Sequence, residues 1–191
     1  MPALAFIVRV ISRLNGLIGR VLSFLALAIV LVCFTVVVMR YGFRTGSVAL
    51  QDLYVWMNGA MFMGIAGYAL LKDAHVRVDI FYRDAPVRRR ALVDITGCLV
   101  FVAPFLTVLW VYAWPYVMRS WRLGEGSANF GGLPGLYILK SFLLVFVAVV
   151  GLQALAMLLR GILVLAGREE LLPPDLRYPR ADPDPEPEPG V

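Results

Sequence analysis

Four stretches of the chain are apolar enough and long enough to cross a lipid bilayer. The hydrocarbon core is about 30 Å thick and a helix rises about 1.5 Å per residue, so a span needs roughly 20 mostly apolar residues. Val21 to Met39 carries no charge and is closed by Arg40. Leu53 to Leu71 lies between Asp52 and Lys72. Ile95 to Met118 lies between Asp94 and Arg119; it holds Pro104 and Pro115 and is long enough to need a tilt or a bend. Leu136 to Leu159 carries Lys140 near its start and ends at Arg160. Backbone polar groups find no water inside lipid, so these segments are expected as helices rather than strands. The predicted fold class is an all-α membrane protein with four transmembrane helices, in a domain of residues 21–166.

The flanks read differently. In residues 1–20, Leu4, Ile7, Val8, Ile11, Leu14 and Ile18 recur at three- and four-residue steps. Arg9, Ser12, Arg13, Asn15, Gly16 and Arg20 fall largely between them. That periodicity predicts an amphipathic helix lying at the membrane interface, with its arginines among anionic headgroups. The alternative is a simple extension of the first span. At the other end, residues 167–191 form a proline-rich, acidic tail that closes on Asp182-Pro183-Asp184-Pro185-Glu186-Pro187-Glu188-Pro189. Proline at every second place denies both helix and sheet, so disorder is expected from Pro173 onward.

Charge sets the orientation. Lys and Arg before the first span, between spans two and three, and after span four number thirteen, against five on the opposite side. The positive-inside rule then places both termini in the cytoplasm. The run Val21 to Met39 exceeds a signal-peptide core and no A-x-A site follows it, so it is expected to be retained as a span.

Composition agrees and excludes much else. Of 191 residues, 60% are apolar and 16% charged, with a net charge of +5. A soluble globule of this length cannot bury so much apolar surface. One histidine, His75, rules out a bis-histidine haem site within the chain. Two cysteines without a CxxC leave no thiol relay, and Cys33 and Cys98 are expected as separate packing residues. No GxxxxGK[ST] loop suggests ATP-driven work, and the basic residues are assigned to a membrane face rather than to nucleic acid. No ionisable residue lies in the middle of a span, where transporters and pumps usually keep one. An enzyme is therefore not expected, nor a metal or cofactor held by this chain.

Span two is rich in small residues: Gly59, Ala60, Gly64, Ala66 and Gly67. Such residues let another helix approach closely, either within the four-helix unit or from a different subunit. Trp56 and Asn58 sit near its outer end. Polar clusters stand at the membrane edges. Outside come Arg40-Tyr41-Gly42-Phe43, Ser47 and Gln51-Asp52, where Asp52 favours a helix N-terminus or pairs with Arg40 or Arg44. Inside comes Lys72 to Asp79, in which His75, Arg77 and Asp79 alternate with Val76, Val78 and Ile80. That stretch, if extended, has one polar face.

Taken in order, Arg40-Tyr41-x-Phe43, Ser47, an acidic residue before span two, Trp56, and His75-Val76-Arg77-Val78-Asp79 resemble the small integral-membrane (DctQ-like, Q) subunit of the tripartite ATP-independent periplasmic (TRAP) transporters. The resemblance covers roughly Val21 to Leu165. The family's pattern usually has a tryptophan and one or two glutamates before span two; here Leu50, Gln51 and Asp52 stand there. The resemblance implies three partners: a large TRAP membrane subunit that carries the solute and the sodium ions, a periplasmic solute-binding protein, and the lipid bilayer. It implies a non-catalytic scaffold role for a chain in a bacterial inner membrane. Arg40, Tyr41, Asp52, Trp56, Gly59, Ala60, Gly64, His75, Arg77 and Asp79 are its candidate interface or structural residues. The rival readings are a free-standing four-helix channel or proton-linked carrier, and a membrane redox subunit.

The topology is testable. A cysteine placed at Gly126 should label from outside intact cells, and one placed at Arg83 should label only after the membrane is opened. Outside labelling at 83 would overturn the orientation.

Overall fold

The computed structural model describes residues 1–74 and 85–178. Among them there is no strand, and four helical stretches are long and apolar enough to span a membrane. Helix α1 covers Pro2–Gly42, α2 covers Val48–Leu71, α3 covers Val87–Gly97, α4 covers Ala103–Leu123 and α5 covers Leu136–Leu165. A π-helical turn, Cys98–Val102, joins α3 to α4, and two short 3-10 turns follow α5. The four long helical stretches bring the start of α1 and the end of α5 to one end of the bundle. Helix α5 is central and packs against α1, α2, α3 and α4.

The amphipathic segment of residues 1–20 and the first span form one helix rather than two elements. Nothing between them breaks a helix: Gly16 and Gly19 are spaced on one face, and no proline lies between Pro2 and Gly42. Pro2 sits at the start, where a missing N–H costs nothing. The polar face assigned to the membrane interface is also revised in part. Ser12, Asn15, Gly16 and Gly19 are buried along with Ala5, Val8 and Ile11. They pack on α2 and α5, whereas Phe6, Ile7, Val10, Leu14 and Leu17 are exposed. Polar and small residues turn inward here because close helix approach needs small side chains, and an amide can find a partner across the contact.

Helix α2 begins a turn earlier than hydropathy indicates, because Ser47 caps it: its Oγ accepts from Leu50 N at 3.3 Å. The third span, expected to tilt or bend, is interrupted by the π-helical turn just before Pro104. Pro104 has no N–H and its ring crowds the carbonyl four residues back. The widened turn absorbs this, and Ala103 N–H bonds the Cys98 carbonyl five residues behind it. Cys98 packs beside Ala154 and Met157 as expected, whereas Cys33 is exposed on α1.

The small residues of span two pack inside the chain. Gly64 meets the Leu22 side chain of α1, Gly59 meets Leu139 of α5, and Ala60 is buried. Gly67 is the tightest: a β-carbon there would lie 2.7 Å from the Val149 carbonyl oxygen. The tail is corrected in part. Leu172, Leu176 and Tyr178 are buried, the first two against Ala5, Val8, Ile11, Ala156 and Leu163 of α1 and α5. Disorder was inferred from prolines, but here three apolar side chains alternate with them and supply a docking face. Residues 179–191 lie outside the described residues.

Backbone contacts cannot yield as a flexible side-chain tip can. Gly67→Ala should therefore cost about 1–3 kcal/mol, lowering the thermal midpoint of the detergent-purified protein. Gly64→Ala, which meets only the end of Leu22, should cost less, and Gly97→Ala, with open space around it, should change little. Equal midpoints for all three would refute this ranking.

Candidate functional site

No ligand chamber opens in the membrane-spanning part among the described residues, so the candidate site is a set of polar latches at the bundle's edges. One latch, at the edge that holds the loop between α4 and α5, is built on Asp52. One turn into α2, its side chain is only 7% exposed. Asn129 Nδ2 donates to it at 2.9 Å and Leu133 N at 3.1 Å, and the Ser127 hydroxyl joins them. The expected arginine partners, Arg40 and Arg44, are not the ones that hold it. Asp52 lies on the helix side facing the loop between α4 and α5, whereas Arg40 is exposed in the last turn of α1.

That loop is shaped to reach the carboxylate. Gly124 ends α4 with a φ of 57°, and Gly135 precedes α5 with a φ of 93°, conformations that favour glycine. Ser127 N donates to the Leu133 carbonyl at 2.9 Å and Gly132 N to the Asn129 carbonyl at 2.9 Å. Gly132 passes so close to Asp52 and Ser127 that any side chain on it would collide with them. A second tie runs beside the first. Glu125 accepts from Lys140 and from the Ser120 hydroxyl, the latter at 2.6 Å. These bonds hold the Glu125 carboxyl below the usual carboxylate range. The tie is therefore complete at neutral pH and is lost only as pH falls below that range. Trp121 Nε1 donates to Ser141 Oγ at 2.8 Å, closing α4 onto α5. At the tip of the loop Phe130 is fully exposed, as are Tyr41 and Phe43 across the same edge.

The latch at the opposite edge joins two residues that hydropathy treats only as span boundaries to a tyrosine of the tail. Asp94 of α3 accepts from Arg160 of α5 at 3.0 Å and from the Tyr178 hydroxyl at 2.7 Å. The Arg160 guanidinium also lies 4.2 Å from the centre of the Tyr178 ring. Deeper in, Asn15 Nδ2 donates to Gln153 Oε1 at 3.0 Å and to the Val149 carbonyl at 3.2 Å.

Of the residues singled out by sequence, Asp52 has the built environment. Trp56 is half-buried, Gly59, Ala60 and Gly64 pack between helices, and Arg40 and Tyr41 are exposed. His75, Arg77 and Asp79 lie outside the described residues. Sequence reasoning missed Ser127, Asn129, Glu125, Asn15, Arg160 and Tyr178 as partners. A clue existed for the first two: a glycine-rich loop carrying Ser127 and Asn129 faces the single carboxylate of an otherwise uncharged span.

Four helical stretches long and apolar enough to span a bilayer, tied together at both edges by polar contacts, define a multi-pass membrane protein. Residues 29–164 match the family model described as tripartite ATP-independent periplasmic transporters, DctQ component. The chain belongs to that family. It is similar to the C4-dicarboxylate TRAP transporter small permease protein DctQ of Vibrio cholerae serotype O1 (strain ATCC 39315 / El Tor Inaba N16961), with 31% identity over 104 residues. The match takes in 52% of this chain and 45% of the relative, so it spans a little under half of the relative's length. No solved structure matches the chain.

Removing the Asp52 carboxylate leaves Asn129 Nδ2 and Leu133 N without their acceptor. Asp52→Ala should cost about 1–3 kcal/mol and expose the loop between α4 and α5 to protease from outside. Unchanged protection of the loop would show that the latch does not hold it.

Proposed function

We propose that this chain is the small, non-catalytic permease subunit of a sodium-coupled TRAP importer for an organic acid or related solute. It widens the fixed scaffold around the large membrane subunit and helps to seat the periplasmic solute-binding protein. The family assignment supports the general role, and the printed name of the Vibrio relative supports the organic-acid class. The observation that carries the reading is the closed interior. Among the described residues the buried polar groups deep in the bundle are amides bonded to each other, Asn15 with Gln153, and amides offer no charge to an ion path. In this reading sodium binds in the partner subunit.

Both termini are placed in the cytoplasm by the basic residues at that end. The latched loop with Phe130, and Tyr41 and Phe43 at the end of α1, then face the periplasm, and exposed aromatic side chains suit protein contact. Exposed apolar faces on α1, with Phe24, Leu27, Leu31 and Phe34, and on α4, with Phe105, Val108 and Tyr112, are assigned to lipid and to the large subunit.

Deleting this subunit should abolish uptake by the importer, and the isolated chain in liposomes should carry neither solute nor sodium current. Robust sodium-driven flux from the isolated chain would support the free-standing carrier instead.

A further inference from the structure

A cleft of about 600 Å³ opens at the end of the bundle that holds the termini, between the first half of α1, the end of α2, and the docked tail. We propose that it is a binding site for the phosphate headgroup of an anionic phospholipid. This goes beyond the subunit assignment and does not depend on it.

Three observations converge on that ligand. The first is charge. Arg9, Arg13, Arg20, Lys72, Arg160 and Arg177 line the cleft, against the carboxylates of Asp73 and Asp175. Arg160 is engaged with Asp94, and Arg177 with the backbone carbonyls of Leu172 and Glu170. Arg9 and Arg13, one turn apart on α1, form no ion pair among the described residues, and Arg9 Nε is buried without a hydrogen-bond partner. A phosphate oxygen supplies the missing acceptor. The second is depth. The cleft opens beside Leu71 and Lys72, where the apolar span of α2 gives way to charge, which is headgroup level. Arg20 bends back toward the same end, its Nε donating to the Gly16 carbonyl at 3.2 Å. The third is the neighbouring surface. Phe6, Val10, Leu14 and Leu17 recur at three- and four-residue steps and are exposed immediately beside the arginine face of α1. Acyl chains lie along that stripe when the headgroup enters the cleft. A soluble anion has no use for it.

The test uses the full chain, purified in detergent with its co-eluting partners, and short-chain phosphatidylglycerol and phosphatidylcholine counted by native mass spectrometry. Phosphatidylglycerol should bind preferentially. Arg9→Gln with Arg13→Gln should weaken it about thirty-fold, and Arg13→Gln alone, at an exposed position that leaves the core intact, about five-fold. Phosphatidylcholine binding should not change. Unaltered phosphatidylglycerol binding in either variant would overturn the proposal. So would inorganic phosphate that displaces the lipid at equal concentration, since the site would then read a soluble phosphate. Lipid binding that appears only after removal of residues 179–191 would overturn it too, by making the chain's own acidic end the occupant.

Discussion

The crossing of α1, α2 and α5 governs the rest of the structure. Gly67 of α2 lies against the Val149 carbonyl of α5, and Asn15 of α1 donates to that same carbonyl and to Gln153. Lipid tails are as apolar as leucine, so helices in a bilayer gain little from hydrophobic burial against each other; close packing and interhelical hydrogen bonds must hold them. Three helices can meet backbone-to-side-chain only if one contributes no side chain, which is what Gly67 does. The same logic recurs along the two flanking contacts, where Gly19 receives the Tyr68 ring and Gly161 lies against Ile95. Each measured interhelical hydrogen bond in membranes is worth only about 0.6 kcal/mol on average, so geometry contributes more here than the amide pair itself.

Charge is confined to the ends because burial away from water is costly unless each charge is paired. Both ends obey this in the same way. A carboxylate on one helix collects donors from elements far away in sequence: Asp52 from the loop between α4 and α5, and Asp94 from α5 and the tail. Helices that cross through lipid are thereby fixed at their rims, where donors and acceptors are available.

The four spans were legible because about 20 uncharged residues in a row is a strong, local signal. A departure from regular helix near Pro104 was legible for an equally local reason. What could not be read was which residue meets which. Asn15 looks like a solvent-face residue in a periodicity that ignores other helices, yet it is 1% exposed. Asp52 had nearby arginines in sequence, but its partners lie 77 and 81 positions away. Pro173 to Tyr178 was assigned to disorder from proline content, a rule that weighs the backbone and overlooks Leu176 and Tyr178 as anchors. The small residues of α2 were recognised as a packing face, but a face does not name its partner. The partner proved to be α1 and α5 of the same chain.

That last point bears on how such a subunit can act. A helix face already filled from within cannot also grip a moving neighbour, so α2 is a keel for the unit rather than its outward contact. Exposed apolar side chains instead run along α1, with Phe24 and Phe34, and along α4, with Phe105, Trp110 and Tyr112. Helix α1 is also the element that carries the arginine face, so its first half touches protein on one side and headgroup-level space on the other. A helix held at Asn15 and Gly19 and tied by Leu172 and Leu176 is a rigid strut through this region. Rigidity of that kind is what the proposed scaffold role requires, since a scaffold that deformed with its partner would give the partner nothing to work against.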